Sequence, residues 1–175
     1  MAARWRSDAA DPIIVTAVPG AEDFAWLDGL RRAHYPPELN RVPAHITLFH
    51  HLPPSMEQEL GYRLSKAARL PRPRATAAGI IDLGGGTAIR IGSPDLEEIR
   101  ADLADALAGM LTPQDQATWR PHITIQNKVE PRIARRLQER LKADFRPRPL
   151  VIAALACWSY AGGPWRLLRE YKFRG

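Results

Sequence analysis

The sequence predicts an α+β fold with an internal pseudo-two-fold repeat, and three observations predict it. Short β-branched or apolar runs typical of strands alternate with runs that have the spacing of an amphipathic helix. The order strand, helix, strand, helix, strand fills residues 12–83 and occurs again in 87–160, before a closing strand at 166–173. A chain of 175 residues suits one compact domain or two small lobes that share a core. We therefore expect a single bilobal domain at 12–175, after a flexible N-terminus at 1–11.

The first copy begins with a β-branched run that ends at Pro19-Gly20, which is typical of a buried strand. Apolar residues at helical spacing follow, and the prolines between 35 and 43 end that helix. Ser55 is a candidate N-cap for the next helix, which the Pro-rich segment 71–74 ends. The expected strands are 13–18, 44–52 and 74–83, and the expected helices are 21–34 and 56–70.

The second copy contains the clearest helix. Ser93 suits its N-cap, Pro94 suits its first position, and acidic residues fill its first turn. The preceding segment Gly84-Gly85-Gly86 lacks the Lys-Ser/Thr pair of a P-loop, so we interpret it as a hairpin turn. The expected helices are 94–110 and 131–141, and the expected strands are 87–92, 120–129, 150–160 and 166–173.

The charge balance favours an anionic partner without identifying one. The 25 Lys and Arg residues exceed the 19 Asp and Glu residues, which gives a formal net charge of +6. Such an excess suits polyanions such as nucleic acid. The arginines are nevertheless scattered and form no basic block, so an ordinary solvated surface is an equally good interpretation.

Cysteine usage and hydropathy point to a reducing compartment. The one cysteine, Cys157, lies in the apolar run 151–158, where a buried packing thiol is favoured over a nucleophile. Residues 1–11 lack the apolar region of a signal peptide, and no apolar segment is long enough to span a bilayer. We expect a cytoplasmic protein with no membrane partner and no obligatory protein partner.

Each copy carries one His-x-Thr tetrad within an expected strand, namely His45-Ile46-Thr47-Leu48 and His122-Ile123-Thr124-Ile125. Alternate side chains of a strand share a face, so His and Thr face one way and the aliphatic residues face the other. The His and Thr positions lie about 6.6 Å apart along the strand. We expect both strands to bury their aliphatic residues and to present an imidazole and a hydroxyl to a cleft.

Two imidazoles and two hydroxyls suit phosphoryl chemistry. Opening a cyclic phosphate, or transesterifying a phosphodiester, removes a proton from the attacking oxygen and gives one to the departing oxygen. A pKa near neutrality lets histidine perform both tasks. The Thr47 and Thr124 hydroxyls then donate hydrogen bonds to the phosphate oxygens on which charge concentrates. This mechanism requires neither a metal nor a cofactor, and we expect none.

A structural interpretation stands beside the catalytic one. A single His-x-Thr pair is more often an ordinary polar pair of the core or the surface. Two such pairs at equivalent places of a repeated pattern favour function.

The paired tetrads resemble the hallmark of the 2H phosphoesterase superfamily, which includes bacterial 2′-5′ RNA ligases and 2′,3′-cyclic nucleotide phosphodiesterases. Three flanking segments resemble its YjcG-like branch: residues 31–39, 120–127 and 163–173. The resemblance implies a bilobal fold of antiparallel sheets flanked by helices around a central cleft. It also implies catalytic roles for His45, Thr47, His122 and Thr124. The implied activity is a metal-independent phosphodiesterase whose partners are RNA ends, 2′-5′ linkages or nucleotide 2′,3′-cyclic phosphates.

The segment after the first tetrad departs from that family. Many members have a small residue, Phe and Leu-Gly there, whereas this chain has Phe49-His50-His51-Leu52. A metal site is one interpretation of the extra histidines. His45 and His51 lie about 20 Å apart on an extended strand, however, and His50 is expected on the opposite face. We therefore favour no metal, and we interpret His51 as a polar residue at the strand end.

Further residues are candidates for substrate binding. Arg120, Gln126 and Lys128 alternate with the second tetrad, which places them on its face, although each is equally well interpreted as a solvated strand end. Tyr35 lies on the Pro-rich loop before the first tetrad, where contact with a nucleobase competes with ordinary packing. Trp158 and Tyr160 share a strand face; we favour an aromatic core over a stacking platform.

Two other functions stay open. A non-catalytic RNA- or nucleotide-binding module would keep the cleft without turnover, although the intact His and Thr of both copies argue against it. A cyclic phosphodiesterase for small metabolites is only mildly disfavoured by the basic charge.

Overall fold

The computed structural model describes residues 11–175, so the expected flexible N-terminus lies outside the described residues except for Asp11. This part of the chain contains seven strands and five α-helices. The strands are β1 (Ile13–Pro19), β2 (Ile46–Leu52), β3 (Arg74–Asp82), β4 (Thr87–Gly92), β5 (His122–Gln126), β6 (Arg148–Ser159) and β7 (Arg166–Lys172). The helices are α1 (Ala21–His34), α2 (Glu57–Ala67), α3 (Pro94–Ala106), α4 (Pro113–Gln116) and α5 (Pro131–Asp144).

All strand pairs are antiparallel and join in the order β2-β1-β6-β3-β4-β5, with β7 paired to β6. The predicted α+β class with an antiparallel sheet flanked by helices is confirmed. The long strand β6 connects the two halves of the sheet. Its first residues pair with β3, and its later residues lie between β1 and β7. The pairing therefore exchanges strands between the two sequence copies, because β3 joins β4 and β6 joins β1.

The two tetrad strands, β2 and β5, stand at opposite ends of this strand order, yet their Cα atoms approach within 8 Å. The sheet is thus curled so that its ends meet. Helix α1 of the first copy packs against β5 of the second as well as against β1 and β6. One buried core runs through both halves and includes Ile46, Leu48, Ile123 and Ile125, which are fully buried. The tetrad aliphatic residues are therefore directed inward, as their alternation predicts.

The helix ends test the capping predictions. The Ser93 hydroxyl accepts a hydrogen bond of 3.2 Å from the Leu96 amide at the start of α3, as predicted. The prediction for Ser55 is wrong, because this residue lies inside a short 3-10 turn at Pro54–Met56 and makes no capping bond. Helix α2 begins after that turn, at Glu57. Helix α4 has only four residues, too few to produce a periodic pattern in the sequence.

Candidate active site

The two tetrads have the same exposure pattern. His45, Thr47, His122 and Thr124 are partly exposed, whereas the residue after each of them is buried. His45 immediately precedes β2, and His122 is the first residue of β5. Each tetrad therefore presents its imidazole at the beginning of a strand, one place before a buried isoleucine that fixes the backbone.

Both imidazoles are held by equivalent hydrogen bonds. Nδ1 of His45 donates to the carbonyl of Pro43, and Nδ1 of His122 donates to the carbonyl of Arg120, each over 2.7 Å. In both cases the acceptor lies two residues earlier. Because a carbonyl oxygen can only accept, the proton of each neutral ring resides on Nδ1 and the lone pair resides on Nε2. The same two-residue geometry thus presents two Nε2 atoms for proton transfer.

The carbonyl groups of the two threonines accept hydrogen bonds from the opposite half of the chain. Trp119, ahead of β5, donates from Nε1 to the Thr47 carbonyl over 2.9 Å. Arg31, on α1, donates from Nη1 to the Thr124 carbonyl over 2.7 Å. Since β2 and β5 end the strand order, these bonds satisfy edge carbonyls that the sheet leaves free. They also tie each tetrad to the other copy.

Two adjoining cavities form the cleft at the tetrads. A cavity of about 820 Å³ is lined by His45, Thr47 and Thr124, among others. A cavity of about 210 Å³ is lined by Thr47 and His122. Thr47 and His50 line both, so the two cavities adjoin at these side chains. A ligand of nucleotide size can therefore lie in the larger cavity and reach the second tetrad.

The imidazole of His45 has a pKa well below that of an ordinary histidine. Burial lowers the pKa of its imidazole from 6.5 to about 4, although the hydrogen bond to Pro43 acts in the opposite direction. Repulsion by the Arg31 guanidinium, and by His122 and His50 in their protonated forms, lowers the pKa of His45 further. The effect of His122 shows that the two tetrad histidines lie within electrostatic reach of each other. At neutral pH the His45 ring is therefore uncharged and ready to accept a proton.

Arg31 is a buried cation at the cleft that was absent from the expected site residues. Its side chain is 3% exposed, and burial lowers the pKa of its guanidinium. The guanidinium carbon lies 4.5 Å from the centre of the Tyr35 ring, and Nε donates to Asn40 over 3.2 Å. Both Arg31 and Tyr35 line the larger cavity. Tyr35 is thus at the cleft, held there by stacking on Arg31.

The three residues predicted to share the face of the second tetrad have different positions. Arg120 lines the smaller cavity, and Lys128 lines the larger one. Lys128 has a φ of 61°, a left-handed conformation that is uncommon outside glycine. Gln126 does not reach the cleft: it is 3% exposed, and its side-chain oxygen accepts a hydrogen bond of 3.0 Å from the Thr87 hydroxyl. The Thr87 hydroxyl also lies within hydrogen-bonding distance of the Ala134 carbonyl and the Gln138 side chain of α5, so Gln126 belongs to a buried polar cluster.

Aromatic residues near the chain end form one side of the cleft. The Trp165 ring lies 4.9 Å from the His45 ring and 6.5 Å from Tyr160, which is 38% exposed and also lines the larger cavity. Tyr160 is therefore a cleft residue, contrary to the expected core position. Trp158 is partly buried, and its Nε1 donates to the Thr16 hydroxyl over 2.9 Å. Trp165 was not among the expected site residues, although it lies in the segment 163–173 that resembles the YjcG-like branch.

His50 is the other residue whose position the alternation rule missed. Two register irregularities between β1 and β2 break the alternation, so that Leu48 and Phe49 are both buried and His50 and His51 are both exposed. His50 consequently lines both cavities, together with Gln114 of α4. A bulge has no reliable signature in one sequence, although two apolar residues followed by two polar ones are consistent with it.

Three remaining expectations concern other chemistry. Cys157 is 5% exposed and burial raises the pKa of its thiol to about 12, which fits a packing role. Within residues 11–175, no group of three or more His, Cys, Asp or Glu side chains has an arrangement that could hold a metal ion. None of the helices in that range has both the length and the apolar character required to cross a bilayer.

The chain belongs to the 2′-5′ RNA ligase superfamily, whose family model matches residues 19–164. Among solved structures, TT0787 of Thermus thermophilus is similar with a TM-score of 0.61 and 17% identity, over 94% of this chain and 98% of that one. E. coli LigT complexed with NADP+ is similar with a TM-score of 0.56 and 16% identity, over 94% and 98%. E. coli LigT complexed with 3′-AMP gives 0.53 and 16%, over 95% and 99%. No curated protein matches the chain.

These findings confirm the resemblance to the 2H phosphoesterase superfamily and its fold. At identities of 16–17% the solved structures show similarity of fold alone. The assignment to the YjcG-like branch stays a prediction.

Proposed function

We propose that this protein is a metal-independent phosphodiesterase that acts on 2′,3′-cyclic phosphates or 2′-5′ linkages of RNA or nucleotides by general acid/base catalysis with two histidines. The observation that carries the proposal is the pair of equivalent Nδ1–carbonyl bonds of His45 and His122. These bonds leave one Nε2 of each half available at two adjoining cavities. Membership of the superfamily supports a phosphoesterase-type activity.

In hydrolysis of a cyclic phosphate, His45 acts as the base and His122 as the acid. The lowered pKa of His45 keeps that ring unprotonated at neutral pH, so its Nε2 accepts a proton from the attacking water. The water oxygen bonds to phosphorus, the bond from phosphorus to one ribose oxygen breaks, and His122 gives that oxygen a proton. The hydroxyls of Thr47 and Thr124 donate to the non-bridging oxygens while their charge increases.

The larger cavity suits a ribonucleotide. Its charged lining residues are Arg31, Arg41 and Lys128, and no Asp or Glu of residues 11–175 is among them. Tyr35 and Trp165 offer aromatic faces on which a base can stack. E. coli LigT, a structural neighbour, forms complexes with 3′-AMP and NADP+. We propose that a nucleotide lies in the corresponding cavity of this chain.

Turnover of a nucleoside 2′,3′-cyclic phosphate tests the proposal. His45→Ala and His122→Ala should each lower kcat by at least about a hundredfold, because each removes one proton transfer. His51→Ala is the matched control, since His51 is exposed and lines neither cavity. Activity of the wild-type protein should persist in EDTA.

Three outcomes would contradict the proposal. Full activity of either alanine variant would exclude that histidine from proton transfer. Loss of turnover on chelation would contradict the metal-independent mechanism. Tight binding of the cyclic nucleotide without turnover would favour a non-catalytic binding module.

A further inference from the structure

A third histidine in the cleft has no part in the mechanism above. His50 lies on β2 three residues after Thr47, and its side chain is 42% exposed. It lines both the larger cavity of His45 and the smaller cavity of His122. His50 therefore lies where the two cavities adjoin.

A buried carboxylate holds the His50 ring. Asp115 of α4 is 1% exposed, and one of its oxygens accepts a hydrogen bond of 2.9 Å from Nδ1 of His50. The same carboxylate accepts hydrogen bonds of 2.9–3.1 Å from the backbone amides of His50 and His51. Burial alone would raise the pKa of Asp115, but these donors outweigh it and lower the pKa below its usual value. Asp115 is therefore ionised at neutral pH.

Arg100 of α3 fixes Asp115 in turn. Its Nη2 donates to the Asp115 backbone carbonyl over 2.7 Å, and its Nε donates to the Leu48 carbonyl over 3.2 Å. The guanidinium also lies over the rings of Phe49 and Trp119, at 4.7 Å and 5.5 Å. The carboxylate consequently has a fixed position relative to β2, which is what orienting an imidazole requires.

His50 differs from the two tetrad histidines in the group that accepts its Nδ1 hydrogen bond. His45 and His122 donate from Nδ1 to neutral carbonyls, whereas His50 donates to an ionised carboxylate. With Nδ1 bound to Asp115, only Nε2 of His50 is free for the cleft. When that ring is protonated, it has an anionic partner on one side and offers a charged N–H on the other.

We propose that His50 is a further substrate-binding residue, whose imidazole is protonated in the complex with an anionic ligand and donates a hydrogen bond from Nε2 to the phosphoryl group beside the Thr47 hydroxyl. Asp115 is the positioning residue that orients it. This inference rests on the proposed function for the location of the phosphoryl group. It assigns the Phe49-His50-His51-Leu52 departure to recognition of the phosphate in this chain.

The test is the affinity for a nucleoside 3′-monophosphate, measured by titration calorimetry on the full chain. In His50→Asn the amide can retain the bond to Asp115 while the cleft nitrogen is lost, so affinity should fall about tenfold or more. His51→Asn is the matched control and should bind within about twofold of wild type. Thermal unfolding of both variants should occur at the wild-type temperature, which separates binding from folding.

Asp115→Asn tests the positioning role. This variant should weaken affinity to a similar extent, and combining it with His50→Asn should add little, because both changes remove one oriented donor. A purely structural Asp115 would lower the unfolding temperature and leave the affinity of the folded protein unchanged, which would overturn that assignment.

The outcomes for this inference and for the proposed function are distinguishable. If His50→Asn binds as tightly as wild type, or if His51→Asn loses as much affinity, the inference is overturned whatever the turnover. If wild type binds the monophosphate but does not turn over cyclic nucleotides, the proposed function fails, while selective loss in His50→Asn still supports the inference. Absence of any binding by wild type would overturn the inference, whereas the proposed function is decided by turnover of the cyclic nucleotide.

Discussion

At the residue scale, the low pKa of His45 results from burial of its ring and from nearby charged groups. Its ring lies 4.9 Å from the Trp165 ring, and the Arg31 guanidinium is among the charges that disfavour a second proton on it. The hydrogen bond to the Pro43 carbonyl fixes the ring but compensates only part of the burial cost. His45 is therefore a neutral acceptor in the free protein, and the negative charge of a bound phosphate would raise its basicity during the reaction.

This acidity predicts the pH dependence of kcat/KM, which reports ionisations of the free enzyme. A base must be unprotonated, and His45 with a pKa of about 4 stays unprotonated well below neutrality. We expect kcat/KM to stay level on its acidic side down to about pH 5 and to fall to half at about pH 4. Circular dichroism at each pH is the control for folding. An acidic midpoint near the ordinary histidine value of 6.5 would contradict the assignment of His45 as the base with a lowered pKa.

The sequence predicted the cleft residues where strand alternation holds and missed them where it fails. His45, Thr47, His122 and Thr124 have the partly exposed positions that a two-residue period requires. The bulged pairing of β2 changes the expected face of His50, and Gln126 is buried with a hydrogen bond to Thr87.

Arg31, Trp165 and Asp115 reach the site only through long-range packing, between residues far apart in the chain. The spacing of residues in the sequence does not indicate contacts between distant segments, so the places of these three residues at the site could not be predicted from spacing alone.

At the element scale, the two edge strands of the sheet are joined by side chains instead of by a strand ladder. Trp119 and Arg31 donate to the carbonyls of Thr47 and Thr124 across the two halves. Each bond satisfies an edge acceptor and sets the position of one tetrad relative to the other copy. The relative position of the two imidazoles therefore depends on Trp119 and Arg31 as well as on the tetrads themselves.

Replacing the Trp119 donor tests this dependence. Trp119→Phe keeps an aromatic ring beside Arg100 but removes the N–H bond to Thr47. The unfolding free energy should fall by about 1–2 kcal/mol, because a partly buried carbonyl loses its partner. We expect kcat to fall severalfold, since β2 loses its connection to the second tetrad, and steady-state kinetics with chemical denaturation measures both effects.

Trp26→Phe is the matched control for that variant. Trp26 lies on α1, stacks with Arg148 at 4.1 Å and lines neither cavity. Its replacement should leave kcat unchanged. Equal kcat values for the two tryptophan variants would show that the bond to Thr47 has no catalytic consequence.

Element boundaries were predictable where local chemistry determines them. Helix α1 has the expected limits because a Pro-Gly pair precedes it and prolines follow it. Helix α3 begins at its Ser93-Pro94 cap. Ser55 had a suitable side chain for a cap, but the adjacent Pro53 and Pro54 favour a tight 3-10 turn that displaces the helix start to Glu57.

At the scale of the whole molecule, the repeat in the sequence is not a division of the sheet. Strand β6 of the second copy pairs with β1 of the first, and β3 of the first pairs with β4 of the second. A repeated order of elements predicts the class of fold, but it contains no information on which copy supplies each neighbouring strand. The exchange, together with the curled sheet, brings β2 and β5 together, and with them the two tetrads.

The most direct test of this account is a crystal structure of the protein soaked with a nucleoside 2′-monophosphate. A phosphate oxygen should lie at hydrogen-bonding distance, about 3 Å, from Nε2 of His45, and another should lie at that distance from Nε2 of His122. The nucleoside should occupy the larger cavity. A phosphate that contacts only one of these rings, or that binds away from both, would contradict the two-histidine mechanism.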